Sequence, residues 1–158
     1  MENNNLNIMF SSGKDDWETP QNLFDQLNKK YNFTLDPCCT KENAKTKKYY
    51  TIKENGLLQN WEGENVFVNP PYSKQGKQDE WVKKCYEESL KPNTLVVALL
   101  PARTDTKRFH KYILGKAEII WIEGRLMFEI NGKPILGKNN KPQPAPFPSM
   151  ICIWNNKN

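Results

Sequence analysis

The stretch TLVVALLP, residues 94–101, is an unbroken run of aliphatic and β-branched side chains closed by a proline. A strand with one wet face alternates polar and apolar residues, whereas a continuous run suits a central strand covered on both faces. Pro101 has no backbone N–H and ends it. Upstream, Trp81, Val82, Cys85, Tyr86 and Leu90 recur at helical spacing before Pro92-Asn93, which predicts an amphipathic helix packed on that strand. Further back, VFVNPPY (66–72) is a shorter apolar strand that runs into an asparagine, two prolines and a tyrosine. Downstream, Thr104 or Asp105 is placed to cap a helix carrying Phe109, Tyr112 and Ile113. AEIIWI (117–122) then reads as another buried strand.

The outer parts of the chain extend this alternation. Thr19-Pro20 signals a helix start, with Thr19 as N-cap and Pro20 at the first helical position. Leu23, Phe24, Leu27 and Tyr31 follow on one helical face, and FTLD (33–36) reads as a short strand ended by Pro37. Residues 37–65 carry turn signals at Asn55-Gly56 and Glu62-Gly63, and NAKTKKYYTI (43–52) has room for a short helix and a strand. Asn131-Gly132 marks a two-residue hairpin. A proline-rich loop, KPQPAPFP, leads to a last strand, SMICIW (149–154). The expected fold is α/β: a compact, mainly parallel sheet with helices on both faces and an antiparallel edge from the closing strands. Residues 1–16 are expected to form a loose N-terminal segment and residues 17–158 a single domain. Trp61, Trp81, Trp121 and Trp154 are expected in its core.

Composition removes several chemistries. With 37% hydrophobic and 26% charged residues the chain reads as soluble, and no apolar run is long enough to span a bilayer. No secretory signal is evident, so a cytoplasmic location and reduced thiols are expected. His110 is the single histidine and the four cysteines form no C-x-x-C, leaving little material for a metal site or a histidine-dependent triad. A net charge of +5 is compatible with a polyanionic partner. The basic residues gather around Lys41–Lys48, Arg103–Lys111 and Lys133–Lys141.

In such sheets ligands bind beyond the carboxyl ends of the strands. Asp36-Pro37 and Asn69-Pro70-Pro71-Tyr72 are both strand ends, and would share one rim. As a bare tetrapeptide the latter is a hard strand stop, and Tyr72 a ring closing the core.

The ordered set W-E-T-P (17–20), L-D-P (35–37), N-G-L (55–57) with Trp61, N-P-P-Y (69–72), L-P-A-R-T-D-T (100–106), G-R-L-M-F (124–128) and A-P-F-P-S (145–149) resembles the small bacteriophage DNA N6-adenine methyltransferases. The resemblance spans roughly residues 17–154. It implies a Rossmann-like class I methyltransferase sheet and S-adenosylmethionine as methyl donor. It also implies DNA as partner, with the target adenine flipped out or single-stranded. Asn69, Pro70, Pro71 and Tyr72 would form the catalytic motif. In that role the Asn69 side-chain oxygen and the Pro70 carbonyl would accept the two N–H bonds of the adenine amine, a poor nucleophile whose lone pair is delocalised, and aim that lone pair outward. The Pro70-Pro71 pair would hold the carbonyl rigid, and Tyr72 would offer a face for the base to stack on. Trp17, Thr19, Pro20, Asp36, Pro37, Asn55, Gly56, Leu57 and Asn69 would contact the donor. Arg103, Lys107, Lys111 and Arg125 are the candidate DNA contacts. No metal is implied. DPCCTKEN (36–43) lacks the glycine-rich turn that commonly follows the first strand in methyltransferases. This leaves open a catalytically silent nucleic-acid-binding relative. N-P-P-Y alone also occurs in RNA adenine and protein glutamine methyltransferases.

Overall fold

The computed structural model describes residues 17–73 and 77–156; the expected loose segment 1–16 lies outside them. Helix α1 (Gln21–Tyr31) leads to β1 (Leu35–Asp36) and β2 (Lys48–Tyr49). A 3-10 turn (Gly56–Leu58), β3 (Asn65–Val68), helix α2 (Gln78–Ser89) and β4 (Leu95–Pro101) follow. A π-helical turn (Phe109–Ile113) precedes β5 (Glu118–Trp121), a hairpin of β6 (Glu129–Ile130) and β7 (Lys133–Pro134), and β8 (Ser149–Asn155).

Six strands form one sheet in the order β2-β1-β3-β4-β8-β5. The first four are mutually parallel, and β8 runs antiparallel to both β4 and β5. The TLVVALLP run is the centre of this sheet. All seven residues of β4 are buried, and alternate side chains enter opposite cores. Val96, Ala98 and Leu100 meet Trp81, Val82 and Cys85 of α2 on one face. Leu95, Val97 and Leu99 meet Phe24 and Leu27 of α1, with Phe67, Phe128 and Phe147, on the other. Helical elements therefore cover both faces, as expected of an α/β fold.

Several expectations need correction. The antiparallel strand is not at an edge. β8 pairs with β4 from Leu95↔Asn155 to Pro101↔Ser149 and is buried over Ser149–Trp154. The Asn131-Gly132 hairpin forms as expected, with φ of 55° and 74° at its two turn residues, as a type I′ turn requires. It makes a separate two-stranded ribbon. AEIIWI is an edge strand, not a buried one. Trp121 is 57% and Ile120 39% exposed, because an apolar run does not say whether a strand has neighbours on both sides. Trp121 thus leaves the expected core set, whereas Trp61, Trp81 and Trp154 belong to it. The helix expected after Thr104 is reduced to a short segment capped instead by the Thr106 hydroxyl, which accepts from Phe109 N–H at 3.3 Å. In 43–52 only the strand β2 forms. Leu90 falls just beyond α2 and is 56% exposed.

Candidate active site at the rim of the parallel strands

β1 and β3 run parallel with Leu35 opposite Val66, so Asp36 and Asn69 emerge at the same rim. Between them opens a cavity of about 550 Å³. Trp17, Thr19, Asp36 and Pro37 line one part of its wall, and Asn55, Gly56, Leu57 and Asn69 another. Residues from four separate stretches of sequence thus converge on one space. Pro71 also reaches it, whereas Pro20, Pro70 and Tyr72 do not.

Asp36 is 4% exposed. Its two carboxyl oxygens accept the backbone N–H groups of Cys38 at 3.3 Å and Lys45 at 3.1 Å. Burial outweighs these bonds and pushes the carboxyl from 3.8 up to about 6. A buried carboxylate held short of full ionic compensation is suited to a cationic ligand group. The turn after Asp36 has no glycine, and the close approach to it is made by Gly56. A Cβ on Gly56 would lie 2.1 Å from the Pro37 carbonyl oxygen. Asn55 sits at φ 56° and its side-chain oxygen accepts the Leu57 N–H at 3.2 Å. Trp61 donates its indole N–H to the Gly56 carbonyl at 3.0 Å, and its backbone N–H to Glu88 at 2.9 Å. Burial alone would raise the Glu88 carboxyl. Lys84, Lys91 and the Trp61 N–H together hold it below its usual value. The expected core residue Trp61 therefore also fixes a wall of the cavity, a link with no local signature in the sequence.

Thr19 does not cap α1. Pro20 occupies the N-cap position without a side-chain bond, and Glu129 of the hairpin accepts the Gln21 N–H at 2.7 Å instead. The Thr19 hydroxyl is 1% exposed and has no hydrogen-bond partner among the described residues. A buried orphan hydroxyl on a cavity wall is a place for a ligand atom. Pro20 is accounted for by the helix start, since its carbonyl accepts Phe24 N–H at 3.1 Å.

At Asn69 the amide N–H donates to the Trp17 carbonyl at 2.8 Å, and the side-chain oxygen accepts the Tyr72 hydroxyl at 2.7 Å. Tyr72 also reaches the Leu99 carbonyl at 3.2 Å. The Pro70 carbonyl accepts no hydrogen bond from a described residue, while the Pro71 carbonyl is pinned by the Gln78 side chain at 2.9 Å. Tyr72 is half-buried within an aromatic group. Its ring stacks on Phe147 at 5.3 Å and 20°, edge-on to Phe128 at 5.2 Å. Trp17 completes this group at 6.0 Å from Tyr72. Burial raises the Tyr72 phenol well above its ordinary value, so it stays a neutral donor.

The four candidate DNA contacts are not equivalent. The Arg103 guanidinium lies 6.0 Å from the Phe147 ring centre, beside the aromatic group. All four are exposed and line neither cavity beside Trp17. No helix among the described residues is long and apolar enough to cross a membrane.

The chain is 37% identical over 122 residues to the DNA N-6-adenine-methyltransferase of Escherichia phage T1, covering 75% of this chain and 49% of that protein. It is 33% identical over 136 residues to the DNA N-6-adenine-methyltransferase of Haemophilus phage HP1, covering 84% of this chain and 77% of that protein. The match thus spans about half the length of the phage T1 relative. The profile of the family described as DNA N-6-adenine-methyltransferase (Dam) matches residues 8–158. With the rim motifs, the mixed sheet and these relatives in agreement, this chain belongs to the DNA N-6-adenine-methyltransferase (Dam) family.

Proposed function

We propose that this chain transfers a methyl group from S-adenosylmethionine to the N6 amino group of adenine in DNA. The reaction would take place on a reduced Rossmann-like class I sheet over residues 17–158, in the cytoplasm of a bacterial cell. One observation carries the reading: the Asn69 amide stands at the wall of a 550 Å³ cavity that also holds the buried carboxyl of Asp36. The cavity fits the donor's chemistry. Asp36 suits an ammonium group, the orphan Thr19 hydroxyl a polar atom, and Leu57 and Trp81 the apolar parts. When bound, the donor supplies an electrophilic methyl group on a sulfonium.

The chain's own residues then orient the acceptor. The Asn69 oxygen and the Pro70 carbonyl accept the two N–H bonds of the adenine amine, favouring a pyramidal nitrogen whose lone pair is free to react. No side chain with an ordinary pKa near 7 is needed, because the methylated nitrogen loses its proton readily to water. The Tyr72 hydroxyl donates to the Asn69 oxygen at 2.7 Å, so an entering adenine displaces it. A base that does so has left the stack, either flipped from a duplex or already single-stranded. Arg103, beside Phe147, is the best placed of the cations to hold a phosphate nearby. Lys107, Lys111 and Arg125 would contact DNA farther out.

Incubation with methyl-labelled donor and unmethylated DNA is expected to yield N6-methyladenine, and Asn69→Ala to remove it. Label on RNA or on a protein glutamine, with none on DNA, would overturn this reading. Salt-sensitive DNA binding without donor binding would instead mark a silent relative.

A further inference from the structure

A second cavity, of about 610 Å³, lies on the other side of Trp17. Trp17, Phe128, Ile135 and Ala145 form its buried apolar floor, and Lys138, Asn139 and Gln143 stand exposed at its rim. We propose that this cavity takes a nucleobase adjacent to the reacting adenine, with Gln143 and Asn139 reading its edge. The proposal rests on the DNA-methyltransferase reading.

Position excludes the reacting base itself. That base must reach Asn69, which lines only the donor cavity. The two spaces are nevertheless neighbours, since the Asn69 amide donates to the Trp17 carbonyl at 2.8 Å, and Trp17 forms part of both walls. An occupant of the second cavity is therefore close to the reaction centre on the same strand.

Chemistry narrows the occupant further. An aromatic and aliphatic floor stacks a base of any sequence. The rim adds two side-chain amides. Gln143 is able to donate and accept together, the complement of an adenine edge, whereas the Asn139 oxygen already accepts the Lys141 N–H at 3.2 Å and Asn139 offers chiefly its NH2 donors. Residues 131–148 contain Lys133, Lys138 and Lys141 and no Asp or Glu. That charge suits the phosphate joined to the base and disfavours a cationic peptide.

The site is built before any ligand arrives. Ile135 N–H donates to the Phe128 carbonyl at 3.1 Å, Gln143 N–H to Ile135 at 2.7 Å and Gly137 N–H to Lys141 at 2.8 Å. Ala145 N–H closes the far side on the Leu126 carbonyl at 2.8 Å. Gly137 makes room for the reader: a Cβ there would stand 2.4 Å from the Gln143 side-chain oxygen. These bonds fix the backbone that carries the two amide side chains.

The test uses the full chain and duplexes with randomised positions around a single adenine. Methylated positions are sequenced, and binding of the same flanks is measured by fluorescence anisotropy. Gln143→Ala or Asn139→Ala is expected to relax the preference at one flanking position by about tenfold or more, with thermal midpoint and donor affinity held. Lys138→Ala is expected to weaken all flanks alike and to flatten the salt dependence. Wild-type flank preference in both amide variants, or an equal loss on every flank, overturns the proposal. If the wild type makes no N6-methyladenine, the methyltransferase reading fails instead, and the anisotropy comparison still decides whether these amides read a base.

Discussion

The two cavities flanking Trp17 are similar in size and opposite in construction. The one at the sheet rim is walled by strand ends and backbone: a buried carboxyl, a glycine against a proline carbonyl, and an asparagine in a strained turn. The other hangs on a hairpin ribbon outside the sheet, with an apolar floor and exposed amides and lysines. Groups whose geometry must not vary are made from the sheet. Groups that meet a variable partner are carried on a loop, where substitution disturbs little else.

Changes at the rim should therefore be severe, and the most severe should be at Asn69. Asn69→Ala is expected to lower the methylation rate by about 10²–10³-fold in single-turnover assays, with donor affinity changed far less. An equal fall in donor affinity would mean that Asn69 belongs to the donor wall alone. Gly56→Ala drives a Cβ into the Pro37 carbonyl and is expected to cost about 1–3 kcal/mol in denaturant unfolding and most donor binding by calorimetry. Full binding in that variant would break the claim that backbone shapes this cavity.

The carboxyl at Asp36 gives a graded test. It binds its proton more tightly in the folded chain, with 3.8 raised to about 6. Its contribution to stability therefore falls as the pH climbs from 3.8 to about 6, and is level above that. At about 1.4 kcal/mol per pH unit, the ionised group costs the empty fold about 3 kcal/mol. The stability of Asp36→Asn relative to wild type should rise over this window. Affinity for a donor carrying an ammonium runs the opposite way, increasing about tenfold per pH unit up to about 6 and then levelling. A donor affinity flat across this window would remove Asp36 from the ammonium contact.

Trp61→Phe keeps one aromatic ring, strips the N–H from the Gly56 carbonyl and leaves a small cavity where the five-membered ring stood. A loss of about 1–3 kcal/mol is expected in thermal unfolding, with a modest loss of donor affinity. The smallest effect is expected at Tyr72→Phe, which leaves the stack with Phe147 and frees the Asn69 oxygen. Methylation should hold or rise a few-fold, since the adenine no longer has to displace a hydroxyl. A collapse of the rate would show that the phenol serves the reaction instead of closing the site.

Much of the rim was legible because its signals are local. A proline after Asp36 and two after Asn69 mark strand ends wherever the strands lie, and the alternation of strand and helix makes those ends share a side. The position of β5 was not legible: AEIIWI and TLVVALL look alike as runs, but only one has neighbours on both sides. Nor was the sharing of Asn69 between Trp17 and Tyr72, because contacts between distant segments leave no spacing in the chain. The glycine-free turn after Asp36 looked like a defect in a donor site. Its counterpart is Gly56, packed against Pro37 and held by Trp61.

The insertion of β8 between β4 and β5 also governs when the molecule can form. β4 has only one neighbour until residues 149–155 arrive to pair along its whole length. During synthesis the helices and the parallel half of the sheet emerge first, with an apolar edge waiting. Pairing between segments so far apart in sequence is slow, and an unpaired central strand is a template for another chain. The last strand is thus the step at which folding competes with aggregation, and a chain interrupted before residue 149 would leave the wholly apolar edge of β4 unpaired.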